Sequence, residues 1–167
     1  MSSIKTDRLL LRPAINGDLE QLHAVFSNAQ AMRYWSRLPH SDISETARFI
    51  DGMITIPFEQ GEDFVVEFND MIIGKVGFWK LPEIGYIFHP DYWGMGLATE
   101  AISALIEYGF QKRRIQAIVA DVDPRNLSSI RLLEKHGFRE THRAANTVKI
   151  GEEWCDSVYF ALKPPNP

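Results

Sequence analysis

Several features that would indicate a secreted, membrane or metal-binding protein are missing from this sequence. It contains one cysteine, Cys155, so an internal disulfide is excluded and a reducing compartment, the cytoplasm, is expected. The longest apolar stretches are interrupted by Lys75, Lys80 and Glu83, so we expect no membrane span, and no signal peptide is visible. The five histidines are scattered without the spacing of a metal site.

An excess of positive charge is also missing. The formal net charge is −4, so we expect no direct nucleic-acid binding, which needs a basic surface. The composition, with 45% hydrophobic and 24% charged residues, is that of a globular protein. Because we find no linker and no repeat, residues 1–167 are expected to form one domain.

The most informative stretch is HPDYWGMGLATEA, from His89 to Ala101. Gly94 and Gly96 follow a short apolar run that ends at Phe88, and an apolar pattern of helical period begins directly behind them. A strand, a glycine turn and a helix N-terminus leave backbone N–H groups unpaired, which favours an anion such as phosphate. A turn that only makes a corner explains the glycines equally well. The dinucleotide and nucleotide-triphosphate fingerprints do not match.

Patterns on either side of this loop predict strands and helices in mixed order. Strands are predicted at residues 8–12, 64–68, 71–79, 83–88 and 117–122, and a closing pair of strands is predicted from Phe138 onward and at residues 154–162. Helices are predicted to begin near Asp18, near Ser44 with half a capping box, behind Gly96 and at Asn126. With one central helix crossing from strand to strand, this order predicts an α+β three-layer sandwich.

Three motifs, in order EIGYIF, YWGMGLATEA and NLSSIRLLEKHGF, resemble the GCN5-related N-acetyltransferases (GNAT), in particular the branch of ribosomal-protein N-terminal acetyltransferases. TDRLLLRP near the start and DSVYFAL near the end resemble the same branch, so the resemblance covers nearly the whole chain. It implies a mixed, mostly antiparallel, splayed sheet flanked by helices. It also implies transfer of acetyl from acetyl-CoA to a primary amine by direct attack in a ternary complex. No metal is implied, and a homodimer is left open.

The resemblance implies that three segments bind acetyl-CoA. The phosphate loop would comprise Trp93, Gly94, Met95, Gly96, Leu97, Ala98 and Thr99. Its first position, Trp93, is usually Gln or Arg in the family, so one polar side chain toward the phosphate is absent. The backbone of Ile87 and Phe88 would pair with the pantetheine arm and polarise the thioester carbonyl. Asn126 would reach a pantetheine amide, although an N-cap role alone explains this residue.

The resemblance also suggests candidates for proton transfer. Many relatives carry a tyrosine general acid where this sequence has Leu133, and Ser129 would take its place beside the sulfur of acetyl-CoA. Glu83 is the best candidate for the general base, although a solvated charge closing a turn explains it equally well. Weaker alternatives are Tyr86, His89 and His136.

The segment from Met32 to Ser41 has aromatic and basic residues but no period. The resemblance places it over the acceptor cleft, where Tyr34, Trp35 and Glu83 would contact the substrate. Hydrophobic plugs between two helices are an equally good explanation of Tyr34 and Trp35. The acceptor would be a protein or peptide N-terminus or a small-molecule amine. The alternative function is a catalytically weak CoA-binding sensor or scaffold of the same fold.

Overall fold

Eight strands form one mixed sheet in the computed structural model, which describes residues 3–165. The strands are β1 (Ile4–Lys5), β2 (Leu9–Arg12), β3 (Glu62–Phe68), β4 (Met71–Lys80), β5 (Glu83–Phe88), β6 (Ile118–Val122), β7 (Arg139–Ile150) and β8 (Glu153–Leu162). Their order in the sheet is β1-β2-β3-β4-β5-β6-β8-β7. Every neighbouring pair is antiparallel except β5 and β6.

Four α-helices within the same residues cover the two faces of this sheet. They are α1 (Leu19–Phe26), α2 (Ile43–Thr55), α3 (Leu97–Gln111) and α4 (Leu127–Lys135). On one face, Leu105 of α3 and Leu133 of α4 pack with Phe78 of β4. On the other, Phe26 of α1 packs with Ile50 of α2. The arrangement confirms the predicted α+β three-layer sandwich.

No helix between residues 3 and 165 is both long and apolar enough to cross a membrane.

The local patterns predicted most turns and helix ends, with one correction at α2. Asn69 and Asp70 both have positive φ, 48° and 62°, as the predicted tight hairpin turn requires. Helix α2 was predicted to begin near Ser44 and begins at Ile43, but the capping residue is Asp42, whose carboxylate accepts a hydrogen bond from the Ser44 N–H at 2.7 Å. An aspartate satisfies the first free N–H groups of a helix as well as a serine does.

Strand β3 begins at Glu62, earlier than predicted, because two buried acids at its start are paired. The Glu62 carboxylate accepts from Arg113 Nη1 at 2.7 Å and from Tyr108 Oη at 2.8 Å. Asp63 Oδ1 lies 2.6 Å from Lys75 Nζ. An unpaired buried carboxylate would be costly, so these partners allow charged residues in a central strand. The hydrogen bonds from Tyr108 and Arg113 to Glu62 also attach the C-terminal end of α3 to the sheet.

The two parallel strands, β5 and β6, separate almost where they meet. Glu83 and Val119 form the single residue pair between them in the described part of the chain. Beyond this point β5 stays paired with β4, and β6 stays paired with β8. A gap therefore opens between the carboxyl ends of β5 and β6. It is the splay implied by the resemblance, and α3 and α4 begin on its two sides.

Gly109 marks a close approach of α3 to the sheet and provides a test of the packing. A Cβ atom at Gly109 would lie 2.7 Å from Phe78 Cζ and 3.2 Å from Ile118 Cδ1, in the buried core. We expect Gly109→Ala to lower the free energy of unfolding by about 1–3 kcal/mol, the usual cost of overpacking. Urea denaturation measures the change.

Gly52 in α2 is the matched control, since no atom outside the helix backbone lies within 4 Å of its added Cβ. Alanine is the better helix former, so Gly52→Ala should raise the free energy of unfolding by up to about 1 kcal/mol. A neutral or stabilising Gly109→Ala would contradict the close packing against Phe78.

Candidate active site

The gap between β5 and β6 widens into a cavity of about 680 Å³. One wall is strand β5 from Ile84 to Phe88, and the facing wall is the end of β6 with the first turn of α4. The glycine loop and the first turn of α3 line one end. Residues between α1 and α2 line another side. The cavity therefore touches the three motifs EIGYIF, YWGMGLATEA and NLSSIRLLEKHGF and the segment that carries Tyr34 and Trp35.

The loop ahead of α3 has a backbone that glycine adopts with little strain. Gly94 and Gly96 have φ of 74° and 75°, in the left-handed region. Gly96 is the N-cap of α3 and offers no side chain to the free N–H groups of the first turn. Leu97, Ala98 and Thr99 of that turn line the cavity. An uncapped helix N-terminus with its partial positive charge is suited to a phosphate group.

The N-terminal strands hold this loop from outside. The Glu100 carboxylate, in the first turn of α3, accepts from Thr6 Oγ1 at 2.6 Å, Arg8 N–H at 2.8 Å and Arg8 Nε at 2.7 Å. Arg8 Nη1 donates to the Met95 carbonyl at 2.9 Å. Although burial raises the pKa of Glu100, these hydrogen bonds keep it below its usual value. This tie was not predicted from the sequence, where its one signal was the occurrence of TDRLLLRP together with GMGLATEA.

Trp93 bonds to strand β5 and so has a different role from the Gln or Arg usual at this position. Its indole Nε1 donates to the Phe88 carbonyl at 2.9 Å. The side chain at the first position of the loop therefore joins the loop to the strand instead of pointing a polar group at the phosphate. The Phe88 carbonyl already has a partner, while Ile87 packs its side chain in the core under α1 and α2. Pairing of this backbone with pantetheine stays a prediction.

Two hydroxyl groups meet across the cavity. Asn126 is the N-cap of α4, and its Oδ1 accepts from the Ser129 N–H at 3.2 Å. Ser129 Oγ lies 2.5 Å from Tyr86 Oη, which reaches over from β5. Burial raises the pKa of Tyr86 to about 12, so the phenol keeps its proton at neutral pH. Tyr86 is therefore poorly suited to be a general base.

Carboxylates gather on the β6 side of the cavity. Asp121 and Asp123 line it, whereas Glu83 lies just outside its lining. Burial raises the pKa of Glu83, and the charge of Asp121 raises it further. Burial and the charge of Asp123 likewise raise the pKa of Asp121. Asp123 itself is paired with Arg125 at 2.7 Å. Neither aspartate was predicted as a site residue, although DVDP stands at the end of a predicted strand.

Tyr34 and Trp35 close the cavity on the side of α1 and α2. The Tyr34 ring contacts the guanidinium groups of Arg33 and Arg125, at 5.1 and 5.7 Å from its centre. The Trp35 ring packs edge-on against Phe26, with the ring centres 6.1 Å apart. Trp35 can therefore be both a hydrophobic plug and a substrate contact, since it anchors the segment in the core and also forms a cavity wall.

The two histidine candidates have structural partners instead. His89 Nδ1 accepts from the Asp91 N–H at 3.2 Å and caps a short 3₁₀ turn. His136 Nδ1 lies 2.7 Å from the Leu132 carbonyl, and its Nε2 lies 3.0 Å from Ser103 Oγ. Neither histidine lines the cavity. These contacts argue against either as the general base.

Most of the residues predicted to bind the cofactor lie together around the cavity. Those in its lining are Ile87, Phe88, Trp93, Gly94, Gly96, Leu97, Ala98, Thr99, Asn126 and Ser129. Met95 is outside the lining, because its carbonyl binds Arg8 and its side chain is exposed. Between residues 3 and 165 no cluster of three His, Cys, Asp or Glu side chains could hold a metal ion.

Comparison with known proteins gives a consistent result. The acetyltransferase (GNAT) domain family matches residues 8–139. The chain is 33% identical to the spermidine N(1)-acetyltransferase of Escherichia coli K12, with 91% of this chain and 84% of the relative covered. It is 29% identical to the ribosomal protein uS5-alanine N-acetyltransferase of the same organism, with 98% and 91% covered. The crystal structure of a GNAT-family acetyltransferase from Bacillus anthracis matches with a TM-score of 0.86 and 29% identity, covering 97% of this chain and 98% of that one.

These matches confirm the family that the three motifs predicted. They also agree with the fold, in which the glycine loop stands at the end of β5 and the sheet opens beside it. The chain therefore belongs to the GNAT family and is an N-acetyltransferase that takes its acetyl group from acetyl-CoA.

Proposed function

We propose that this enzyme acetylates a primary amine of low pKa, such as the α-amine of a protein, peptide or amino acid, by direct attack while both substrates are bound. One observation carries the proposal. The split between β5 and β6 forms a single cavity with an uncapped helix N-terminus at one end and carboxylates at its β6 side. Such a cavity can hold a phosphate-bearing donor and a cationic acceptor at the same time.

The residues present fit acetyl-CoA. No atom lies within 4 Å of a Cβ placed on Gly94, so the backbone there is open to a pyrophosphate. The edge of β5 beyond Glu83 has no strand partner in β6 within the described residues, which leaves backbone groups for the amides of a pantetheine arm. Asn126 stands at the facing wall with its amide beside the cavity.

When bound, acetyl-CoA supplies the acetyl group, so that a nitrogen–carbon bond forms as the carbon–sulfur bond breaks. The acceptor nitrogen must lose a proton, and we assign its removal to Glu83. Burial gives Glu83 a raised pKa, which makes its carboxylate a stronger base than a solvated one. Because Glu83 lies just outside the cavity lining, the proton would reach it through a water molecule. Ser129 would face the departing sulfur.

The choice of acceptor rests on the free energy of deprotonation. A lysine side chain has a pKa of about 10.4, and an α-amine has one of about 7.7–8.0. At pH 7 the lysine must be deprotonated at a cost of roughly 4.6 kcal/mol, against about 1.2 kcal/mol for the α-amine. A single carboxylate acting through water is a modest base, and none of the described residues that line the cavity is a histidine that could assist it. The lower cost favours the α-amine.

A polyamine is the second candidate acceptor, and the charge of the cavity favours it. Asp121 and Asp123 line the β6 side, with Glu83 nearby, and could hold the additional ammonium groups of such a molecule. A relative that is 33% identical is a spermidine N(1)-acetyltransferase. Against this candidate, Asp123 is already paired with Arg125.

A charge placed on the phosphate loop tests the donor site. Gly96→Asp should weaken acetyl-CoA binding strongly, since two like charges 4 Å apart repel by about 4 kcal/mol at an effective dielectric constant of 20. Arg8 Nη2, 3.4 Å from the position of the new Cβ, would offset part of this. Gly96→Asn is the control, with the same shape and no charge. Calorimetry should show at least a tenfold higher Kd for the aspartate variant than for the asparagine variant. Equal affinities would mean that phosphate does not bind here.

The dependence of the rate on pH tests Glu83. Its pKa is raised, so the carboxylate is ionised and able to accept a proton only above that raised value. At pH 7 an α-amine is mostly protonated, but at pH 9 it is mostly neutral and needs little help. We expect Glu83→Gln to slow acetylation about tenfold or more at pH 7, within the range of general-base effects, and much less at pH 9. Asp121→Asn is the control. The same pH-dependent loss in Asp121→Asn alone would move the base to Asp121.

Acceptor competition tests the substrate class. A peptide with a free N-terminus and an internal lysine, offered together with spermidine, should be acetylated first at its N-terminus. Mass spectrometry locates the acetyl group and a thiol-release assay gives the rate. Exclusive modification of the lysine would refute the α-amine proposal, and faster acetylation of spermidine would favour the polyamine. If acetyl-CoA binds with measurable heat but no amine causes release of the CoA thiol, the result would favour a sensor.

A further inference from the structure

We infer that Tyr86 is a positioning residue for the leaving group, in that its phenol orients the Ser129 hydroxyl so that the serine proton points at the sulfur of acetyl-CoA. The inference rests on the proposed function, in which Ser129 faces that sulfur. From the sequence, Tyr86 was only a weak alternative for the general base. Its place in the structure suggests a role on the opposite side of the reaction.

The geometry carries the inference. Tyr86 comes from β5 and Ser129 from the first turn of α4, so their hydrogen bond of 2.5 Å spans the two walls of the cavity. Within residues 3–165, Ser129 Oγ is the one hydrogen-bond partner of Tyr86 Oη. The Ser129 N–H is held by Asn126, which fixes the backbone to which the hydroxyl is attached. Both residues line the cavity.

We assign the direction of this hydrogen bond from the role proposed for Ser129, since either hydroxyl could donate. Each hydroxyl has one proton to donate. If Ser129 donated to the phenol, no serine proton would be left for the sulfur. If Tyr86 donates, Ser129 accepts it and keeps its own proton for the leaving group. A phenol is the more acidic of the two, and burial keeps Tyr86 protonated, with a pKa of about 12, so it is the natural donor.

Without Tyr86, the hydroxyl of Ser129 would be free to turn away from the cavity and bond to a backbone carbonyl. Serine side chains in a helix readily turn back to a carbonyl of the preceding turn. A hydrogen bond from the facing wall holds the hydroxyl toward the cavity instead. The contribution of Tyr86 is therefore orientation, and it acts through Ser129.

The step balances without a proton leaving either hydroxyl. As the carbon–sulfur bond breaks, its electron pair goes to sulfur, and the thiolate accepts a hydrogen bond from Ser129. A thiol has a pKa of about 8.5, well below that of Tyr86, so transfer of the phenol proton would be unfavourable. The amine proton leaves through Glu83 to water, and the thiolate takes a proton from water after departure.

A double-mutant cycle tests the coupling. The single-turnover rate of thiol release should fall about fivefold to tenfold in Tyr86→Phe, the effect of losing one hydrogen bond. Ser129→Ala should lose at least as much. The double variant should be no slower than Ser129→Ala alone, because the phenol has nothing left to orient. The Kd for acetyl-CoA should change by less than about twofold in each variant.

Tyr159→Phe on β8 is the matched control, since its ring stacks on His142 at 4.3 Å and lies outside the cavity lining. It should react at the parent rate. Two losses that multiply in the double variant would overturn the inference, as would a Tyr86→Phe variant that reacts at the parent rate or loses only acetyl-CoA affinity.

Acetyl transfer by the parent enzyme is measured first. Its absence with every amine would reject the proposed function itself, whereas a normal parent rate with independent losses rejects only the role of Tyr86.

Discussion

The separation of β5 from β6 is the constraint on which the rest of the site depends. The two strands share one residue pair, Glu83 with Val119, and each then follows its antiparallel neighbour. Because they are parallel, their carboxyl ends lie at the same edge of the sheet, and the segments that follow both begin there. The glycine loop with α3 follows β5, and α4 follows β6. One interruption in the sheet thus leaves backbone groups free and places two helix N-termini beside the same gap.

An interrupted sheet must be held open by contacts elsewhere. On the β5 side, Trp93 ties the loop to the Phe88 carbonyl, and Arg8 binds both Glu100 and the Met95 carbonyl. The C-terminal part of α3 is fixed by the hydrogen bond from Tyr108 to Glu62 of β3 and by the close approach of Gly109 to Phe78 of β4. These contacts do not depend on a ligand. If the loop binds phosphate as proposed, these contacts would arrange it before acetyl-CoA arrives and so lower the entropy lost on binding.

Local patterns in the sequence predicted the elements well, because strand and helix periods are short-range signals. The hairpin at Asn69 and the glycine loop followed from turn chemistry for the same reason. The contacts that complete the site join residues far apart in the sequence, such as Tyr86 with Ser129 and Arg8 with Glu100. No period or spacing reports such a contact. Only the resemblance brought these motifs together, and it did not say which side chains would touch.

The position of Leu133 shows how the structure changes the interpretation of a missing residue. Judged from the motif alone, leucine in place of the family's tyrosine removes the hydroxyl that would face the sulfur. In the structure Leu133 is fully buried in the core beneath α4, so this position contributes packing. A phenol still reaches the N-terminus of α4, but it comes from the facing strand and bonds to Ser129. The absence of the tyrosine is therefore weak evidence for the alternative function, a CoA-binding protein that does not catalyse acetyl transfer.

The alternation of side chains along β5 would separate the two halves of the proposed chemistry. Neighbouring residues of a strand point to opposite faces, so Glu83 and Tyr86, three positions apart, lie on opposite sides of the sheet. The core clusters agree, since Ile84 and Phe88 pack under α3 and α4 and Ile87 packs under α1 and α2. A thioester lying along the open edge of β5 would have the carboxylates on its acceptor side and the hydroxyl pair on its sulfur side. Because the backbone of one strand sets both positions, a shift of β5 by one residue would exchange the faces and remove both groups from their places.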